Sequence, residues 1–269
     1  VIGGHRVAVV IPAYNEERLL PRTLEAIPGY VDEIVVVDDA SQDRTGAVAR
    51  AAITRAPVHV LRHDQNQGVG AAIVTGYRAC LSPLAADVAV VMGADNQMHP
   101  DDMPALLWPI IHDEADYVTG DRLAWPEGWR AFPWVRLAGV VGLAAMTRWA
   151  TGHPGLRDVQ CGYTAIHRRA LERVALDRLY PRYGFPNDLL AEVLRCELRL
   201  ATRPVRPIYA EETSHLRVRR VITPLLKLTA RNWVLRVTAP HPQRHAAVKG
   251  AWGTARGAAR LVRGGASPR

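Results

Sequence analysis

Apolar residues in the first half of the chain fall in short unbroken runs, each stopping at a polar cluster that is followed by apolar positions at helical spacing. Val7 to Ile11 is such a run. It ends at Pro12 and Ala13-Tyr14-Asn15-Glu16, after which Leu19, Leu20, Leu24 and Ile27 mark one face of a helix. Glu33 to Val37 repeats the unit and ends at Asp38-Asp39-Ala40-Ser41-Gln42-Asp43, where Ser41 or Asp43 is placed to cap a helix running through Ala52. A third run, Val58 to Leu61, closes on Arg62 to Gly70 before a small-residue helix from about Ala71 to Ala79. The fourth, Ala86 to Met92, is followed by Asp101-Asp102, which open a helix toward Ile111. Strands alternating with helices at this spacing predict parallel pairing, right-handed crossovers and helices on both faces: a doubly wound, mostly parallel, Rossmann-like α/β sheet.

In such a sheet ligands bind outside the carboxyl ends of the strands, near the point where the strand order reverses. Pro12 to Glu16, Asp38-Asp39, Arg62 to Asn66 and Asp95 to Gln97 each follow a strand, so four polar loops are expected to converge on one cleft. The last is the most telling. A fully apolar strand there delivers Gly93-Ala94-Asp95-Asn96-Gln97-Met98-His99, one acid with amides and an imidazole beside it, which suits a cation or a phosphate.

Beyond Tyr117 to Gly120 the periodicity breaks up into Asp121-Arg122 and a loop carrying Trp125, Pro126, Trp129, Pro133 and Trp134, then an apolar helix from about Val135 to Trp149. An aromatic loop beside a cleft suits a lid or an acceptor surface, and packing would account for any single tryptophan. Asp158 to Tyr163 reads as a turn, Ala165 to Val174 as a strand passing into a helix, and Tyr183 to Asp188 as the lead into a helix from Leu189 to Cys196. The proline-interrupted Leu198 to Tyr209 reads as a sheet edge. Arg217 to Arg236 is helical in pattern, with Arg217, Arg220, Lys227 and Arg231 near one face and Pro224 placed to kink or restart it. Such a helix suits a membrane interface, or packing on the sheet with its arginine heads in water. The expected organisation is a catalytic body over residues 1–215, a basic amphipathic helical segment over 216–240, and a basic, weakly ordered tail over 241–269.

Charge follows the same division. Residues 213–269 hold 12 of the 34 Lys and Arg and none of the 26 Asp and Glu, leaving a mildly acidic body in a chain of formal charge +8. That tail suits an anionic lipid surface or a solvated terminus; without an aromatic-basic platform or zinc motif, a nucleic-acid partner is not expected. No apolar run reaches the ~18 residues of a membrane span. Cys80, Cys161 and Cys196 lie far apart, which argues against a disulfide framework or thiolate zinc site. With no basic-then-apolar start at Val1 to Arg6, the placement expected is cytoplasmic, with peripheral attachment to the membrane inner face as an option. Pro12-Ala13-Tyr14-Asn15 in place of a Gly-rich turn disfavours a nicotinamide enzyme.

Ile11-Pro12-Ala13-Tyr14-Asn15-Glu16, Val37-Asp38-Asp39-Ala40-Ser41-Gln42-Asp43, Asn66-Gln67-Gly68-Val69-Gly70 and Ala94-Asp95-Asn96-Gln97 occur in an order and spacing that resemble family 2 glycosyltransferases of the GT-A fold. The likeness is greatest to the dolichyl-phosphate mannose synthase-like branch and covers about residues 7–215. It implies a hexosyltransferase with a nucleotide-sugar donor, in which Pro12, Tyr14, Glu16 and Asp39 hold the base and ribose, with Asp38 beside them. Asn66, Gly68, Gly70 and Ala94 would line the donor site, the glycines letting backbone approach closely; an ordinary helix start would also account for them. In the family the fourth strand ends in Asp-x-Asp, which holds Mg²⁺ or Mn²⁺ on the donor diphosphate. Here the first of those positions is Gly93, so Asp95, with Gln97, is what remains for the metal. Arg122 and Arg136 would contact an acceptor phosphate, and Asp158 and Tyr163 match an Asp-x-x-x-Gly-Tyr element near the sugar. Asp188 stands where relatives carry a catalytic base, and would equally serve as a helix N-cap.

Three readings remain open at this point. One is inverting transfer of a sugar from UDP or GDP to a polyprenyl phosphate, whose ionised oxygen needs no base; the basic helix favours it. The second is transfer to a hydroxyl of a soluble small molecule, with Asp188 as base. The third, motivated by Gly93, is a nucleotide-sugar-binding protein that has lost turnover.

Overall fold

Val7–Ala13 (β1) is buried along almost its whole length, as a strand covered by helices on both faces must be. Its side chains alternate between two cores: Ala8 and Val10 enter one, and Val7, Val9 and Ile11 the other. The computed structural model describes residues 1–132, 134–208 and 218–238. The remaining strands are β2 (Glu33–Asp38), β3 (Val58–Arg62), β4 (Val88–Val91), β5 (Tyr117–Asp121), β6 (Thr164–His167) and β7 (Leu200–Pro204). They form one sheet in the order β3-β2-β1-β4-β6-β5-β7.

Helices α1 (Leu20–Glu25), α2 (Thr45–Ala51) and α4 (Met103–Ile111) cover the face whose core includes Leu20, Leu24, Ala49, Leu106 and Leu107. Helices α3 (Val69–Leu81), α6 (Arg168–Leu171) and α7 (Phe185–Arg195) cover the other, with Ile73, Tyr77, Leu171, Leu189 and Val193. Gly76 lets α3 lie directly on β1, because a Cβ there would collide with the Val10 side chain. Two further helices, α5 (Trp134–Thr151) and α8 (Val218–Thr238), pack against each other and against α7.

The sheet is doubly wound and mostly parallel, as expected. The β1–β2, β1–β4, β2–β3 and β5–β7 pairs are parallel, whereas β6 runs antiparallel to both β4 and β5. Alternation along a strand reports its faces but not its direction, so β6 gave no warning of this. β7 is the edge strand that its prolines called for. The strand order reverses beside β1, with β2 on one side and β4 on the other.

One expected helix cap is corrected. The residue before α2 is Arg44, without a side-chain cap; the Asp43 carboxylate instead accepts from Thr45 N at 2.9 Å, while Ser41 Oγ accepts from Asn15 N at 3.0 Å and ties two strand-end loops together. Asp101-Asp102 open α4 through a 3₁₀ turn with Pro100, Asp102 standing at the N-cap position without a side-chain cap bond. Asp102 there accepts from the Arg206 backbone N–H at 2.8 Å, which pins the segment after β7 to the start of α4.

Candidate functional site

The loops after β1, β2 and β4 meet at the strand-order reversal and wall a cleft of about 900 Å³. Pro12, Tyr14 and Glu16 come from the first, Asp39 from the second, and Gly93, Ala94, Asp95 and Gln97 from the third. Asn66 and Gly68, between β3 and α3, also line it. Residues 180–186 form the opposite wall, and Pro224 and Leu225 of α8 close one side.

Asp38 and Asp39 are neighbours in an extended chain and diverge accordingly. Asp38 is fully buried; its carboxylate accepts from Ser41 N at 2.8 Å and pairs with Arg62, so the structure does not bring it into the cleft lining. Asp39 organises the cleft floor. Its Oδ1 accepts from Gln67 N at 2.8 Å and lies 2.7 Å from His63 Nδ1, and its Oδ2 accepts from Gly68 N at 2.7 Å. A carboxylate has about four acceptor positions, so roughly one remains for a ligand. His63 is buried, with Nε2 against Thr75 Oγ1 at 2.9 Å, and fixes the orientation of Asp39.

Gly68 and Gly70 were expected to admit a ligand; what they admit is protein. A Cβ on Gly68, whose φ is +103°, would lie 2.6 Å from the Pro181 carbonyl oxygen, and one on Gly70 would lie 2.6 Å from that of Tyr180. Ala71 N donates to Pro181 O at 3.0 Å. The start of α3 thus carries the 180–186 wall, and Gly68, not Gly70, reaches the cleft.

At the end of β4 the chain coils back on itself. Asp95 Oδ1 accepts from Gln97 N at 3.1 Å across Asn96, whose φ is +57°, and Gly93 N lies 3.1 Å from the Met98 sulfur. A Cβ on Gly93 would stand 2.8 Å from Asp95 Oδ1. The carboxylate occupies the space that a side chain at 93 would need, which is the local consequence of the glycine. Among the described residues no group of three or more His, Cys, Asp or Glu side chains could hold a metal ion. One carboxylate and one carboxamide fit a hard cation that arrives with diphosphate oxygens, not a protein-built cage.

Arg122 and Asp158 were expected to serve acceptor and sugar separately, and the structure joins them. Arg122 Nε and Nη2 donate to Asp158 at 2.6 and 2.9 Å, and Arg122 N adds a bond at 3.2 Å. The adjacent Asp121 takes Arg157 Nε at 2.9 Å, so two crossed ion pairs lock the end of β5 to the turn before β6. Burial pushes the Asp121 carboxyl above its usual range, against the pull of Arg157. Arg122 lines the cleft and Asp158 lies behind it. Tyr163 is buried at the cleft floor with its hydroxyl donated to His99 O at 3.2 Å, and burial drives its pKa well above the ordinary phenol value. The side chain of Arg136, on α5, lies outside the described residues.

Asp188 is not a helix N-cap. Gly184 holds that position, and Asp188 N already donates to Gly184 O at 3.1 Å inside α7. The Asp188 carboxylate is buried, accepts from Tyr180 N at 2.8 Å and pairs with Arg231 of α8, and it is not part of the cleft lining.

Two cleft cations escaped the sequence. Arg206 follows β7 and is held by Asp102, with Nε at 3.2 Å from Oδ1, and by the Trp125 ring at 5.4 Å. The strand-end rule applied to β7 would have found it. Arg182 donates to the Asn66 side-chain and backbone oxygens at 3.3 Å each, and no motif marked it. Burial raises the Asp102 carboxyl while Arg206 pulls it back down.

Residues 8–175 match the model of the family described as Glycosyl transferase family 2. The UDP-N-acetylglucosamine–dolichyl-phosphate N-acetylglucosaminyltransferase of Methanococcus voltae is 30% identical over 219 residues, covering 76% of this chain and 86% of that protein. The undecaprenyl-phosphate mannosyltransferase of Micrococcus luteus is 33% identical, covering 74% and 82%. Among solved structures, glucosyl-3-phosphoglycerate synthase from Mycobacterium tuberculosis in complex with Mn²⁺, UDP and phosphoglyceric acid superposes with a TM-score of 0.65 at 21% identity, covering 84% of this chain and 79% of that one. That likeness shows the fold, which is GT-A.

Replacing Asp39 with Asn removes one of its two acceptor oxygens and sets an N–H against backbone N–H groups. Amide exchange at Gln67 and Gly68 is expected to accelerate about ten- to a hundredfold, the equivalent of ~1–3 kcal/mol of local opening, read by hydrogen–deuterium exchange. Unchanged protection would show that Asp39 does not hold this floor.

Proposed function

Because the chain belongs to glycosyl transferase family 2 and is a glycosyltransferase, we propose that it moves a sugar from a UDP- or GDP-linked donor to a polyprenyl phosphate with inversion. The observation that carries this reading is the state of Asp188. The residue best placed in sequence to act as a base is engaged by Arg231 and Tyr180 and stands off the cleft, while three arginines, Arg122, Arg182 and Arg206, line it. That balance favours an acceptor that is already ionised. The printed activities of the Methanococcus and Micrococcus relatives, on dolichyl and undecaprenyl phosphate, support the same acceptor class.

In the proposed reaction an acceptor phosphate oxygen forms a bond to the anomeric carbon while the bond from that carbon to the diphosphate breaks, its electron pair leaving with the nucleoside diphosphate. No proton moves. Pro12, Tyr14, Glu16 and Asp39 hold the base and ribose, with Asn66, Gly68 and Ala94 along the donor. Asp95 and Gln97 would hold Mg²⁺ or Mn²⁺, which supplies charge neutralisation on the diphosphate when bound. Arg206 and Arg182 face the phosphates, and Arg122, fixed by Asp158, orients the acceptor.

A membrane surface is proposed as the place where acceptor and enzyme meet. Leu226, Trp233, Val234 and Val237 share one face of α8 and are exposed, and Trp233 stacks on the exposed Trp149 of α5 with centroids 5.4 Å apart. Both helices carry Arg or Lys and no Asp or Glu. Arg231 pairs with Asp188, and the exposed face is apolar with cations beside it. Surface tryptophans and cations of this kind suit anionic lipid. Among the described residues no helix is long and apolar enough to cross a membrane.

Transfer assayed with UDP- and GDP-sugars and Mn²⁺ should reach polyprenyl phosphate and not the matching polyprenol or small hydroxyl acceptors. Asp95→Ala should slow it by roughly 10²–10³-fold, the scale of losing a main charge-stabilising group. Equal use of polyprenol, or equal rates in the two proteins, would refute the reading.

The protein should float with vesicles of anionic phospholipid at low salt. The triple change Leu226→Ser, Trp233→Ser and Val237→Ser should release it. Flotation that survives this change would move the contact elsewhere.

A further inference from the structure

Helix α8 is held on the body at three points. Near its middle, Leu228 is buried over Gly184, where a Cβ would collide with it. One helical turn on, Arg231 pairs with the buried Asp188. At its end, Arg236 Nη1 donates to Trp149 O at 2.8 Å and fills the space beside Gly152, whose φ is +73° and whose Cβ would stand 2.7 Å from the Arg236 guanidinium carbon. Trp233 stacks on Trp149 between these last two.

The first two contacts bear on the cleft. Asp188 connects Arg231 to the Tyr180 backbone, and Tyr180 begins the wall that continues through Arg182, Tyr183, Gly184 and Phe185. Docking of α8 also sets Pro224 and Leu225 against the same space. A buried carboxylate left without its cation is strongly unfavourable, so the pair and the docked helix stand or fall together.

We propose that Arg231 is a positioning residue of the transferase: through Asp188 it fixes the 180–186 wall and the docked α8 beside the cleft, and it withholds Asp188 from service as a base. The effect is a selectivity device, since an acceptor phosphate needs no base and a hydroxyl does. The selectivity part rests on the acceptor proposed above; the docking part does not.

The test compares wild type with Arg231→Gln, Arg231→Lys, Asp188→Asn and the Asp188→Asn/Arg231→Gln double variant. It measures kcat and KM for donor and for polyprenyl phosphate, and the near-ultraviolet circular dichroism of the stacked Trp149 and Trp233. Arg231→Gln should raise the acceptor KM at least about tenfold and weaken the tryptophan signal. Lys should restore part of each effect, and the double variant should lose no more than the worse single one, because the two residues act as a unit. If Arg231→Gln does not fold, the Lys and double variants decide the outcome by the same readouts. The proposal is overturned if Asp188→Asn abolishes kcat while the Arg231 variants keep it, since Asp188 is then a base. It is also overturned if the tryptophan signal and acceptor KM ignore Arg231. Should the wild type transfer only to a hydroxyl acceptor, the proposed function fails; the tryptophan signal and the double-variant comparison still decide whether Arg231 docks α8.

Discussion

Burying β1, β2 and β4 on both faces leaves those strands no place for polar chemistry except their carboxyl ends. Val7 to Ile11, Ile34 to Val37 and Val88 to Val91 are all apolar and all buried, and each run ends within a residue or two of a cleft group. Because the strands are parallel, those ends lie on the same edge of the sheet, and the reversal beside β1 opens the gap into which they point. The cleft is a consequence of the core.

Around the cleft the charges are sorted by how many partners they already have. Asp38, Asp158 and Asp188 are buried carboxylates with an arginine each, Arg62, Arg122 and Arg231, and they hold loops in place. Removing one partner of such a pair costs far more than the pair contributes, so these positions are rigid by construction. Asp39 is a fourth anchor, but its partners are backbone amides and a histidine, and it still reaches the cleft. Arg206 and Arg182 keep their heads at the lining, which is where a diphosphate or lipid phosphate would find them.

The strand-end loops were legible in the sequence because they follow from periodicity: Pro12, Tyr14, Glu16, Asp39, Asn66 and Asp95 all reach one cleft. Direction and partnership were not. Nothing in Thr164 to His167 reveals that β6 runs against its neighbours, and nothing around Asp158 or Asp188 announces that each is paired with an arginine 36 or 43 positions away. Gly68 and Gly70 are sites of close approach, but the approaching group is the 180–186 wall, a contact between segments more than a hundred residues apart. Arg182 carries no local signal for the same reason.

The proposed function places a nucleoside diphosphate in this cleft with its cation at a single acid. Crystals grown with Mn²⁺ and UDP, and in parallel with Mn²⁺ and GDP, test it most directly. The expected result, for the nucleotide that binds, is a base against Tyr14 and Asp39, Mn²⁺ on Asp95 and the diphosphate, and Arg206 or Arg182 within hydrogen-bond reach of a phosphate oxygen. A nucleotide bound outside this cleft, or a Mn²⁺ held without Asp95, would contradict it.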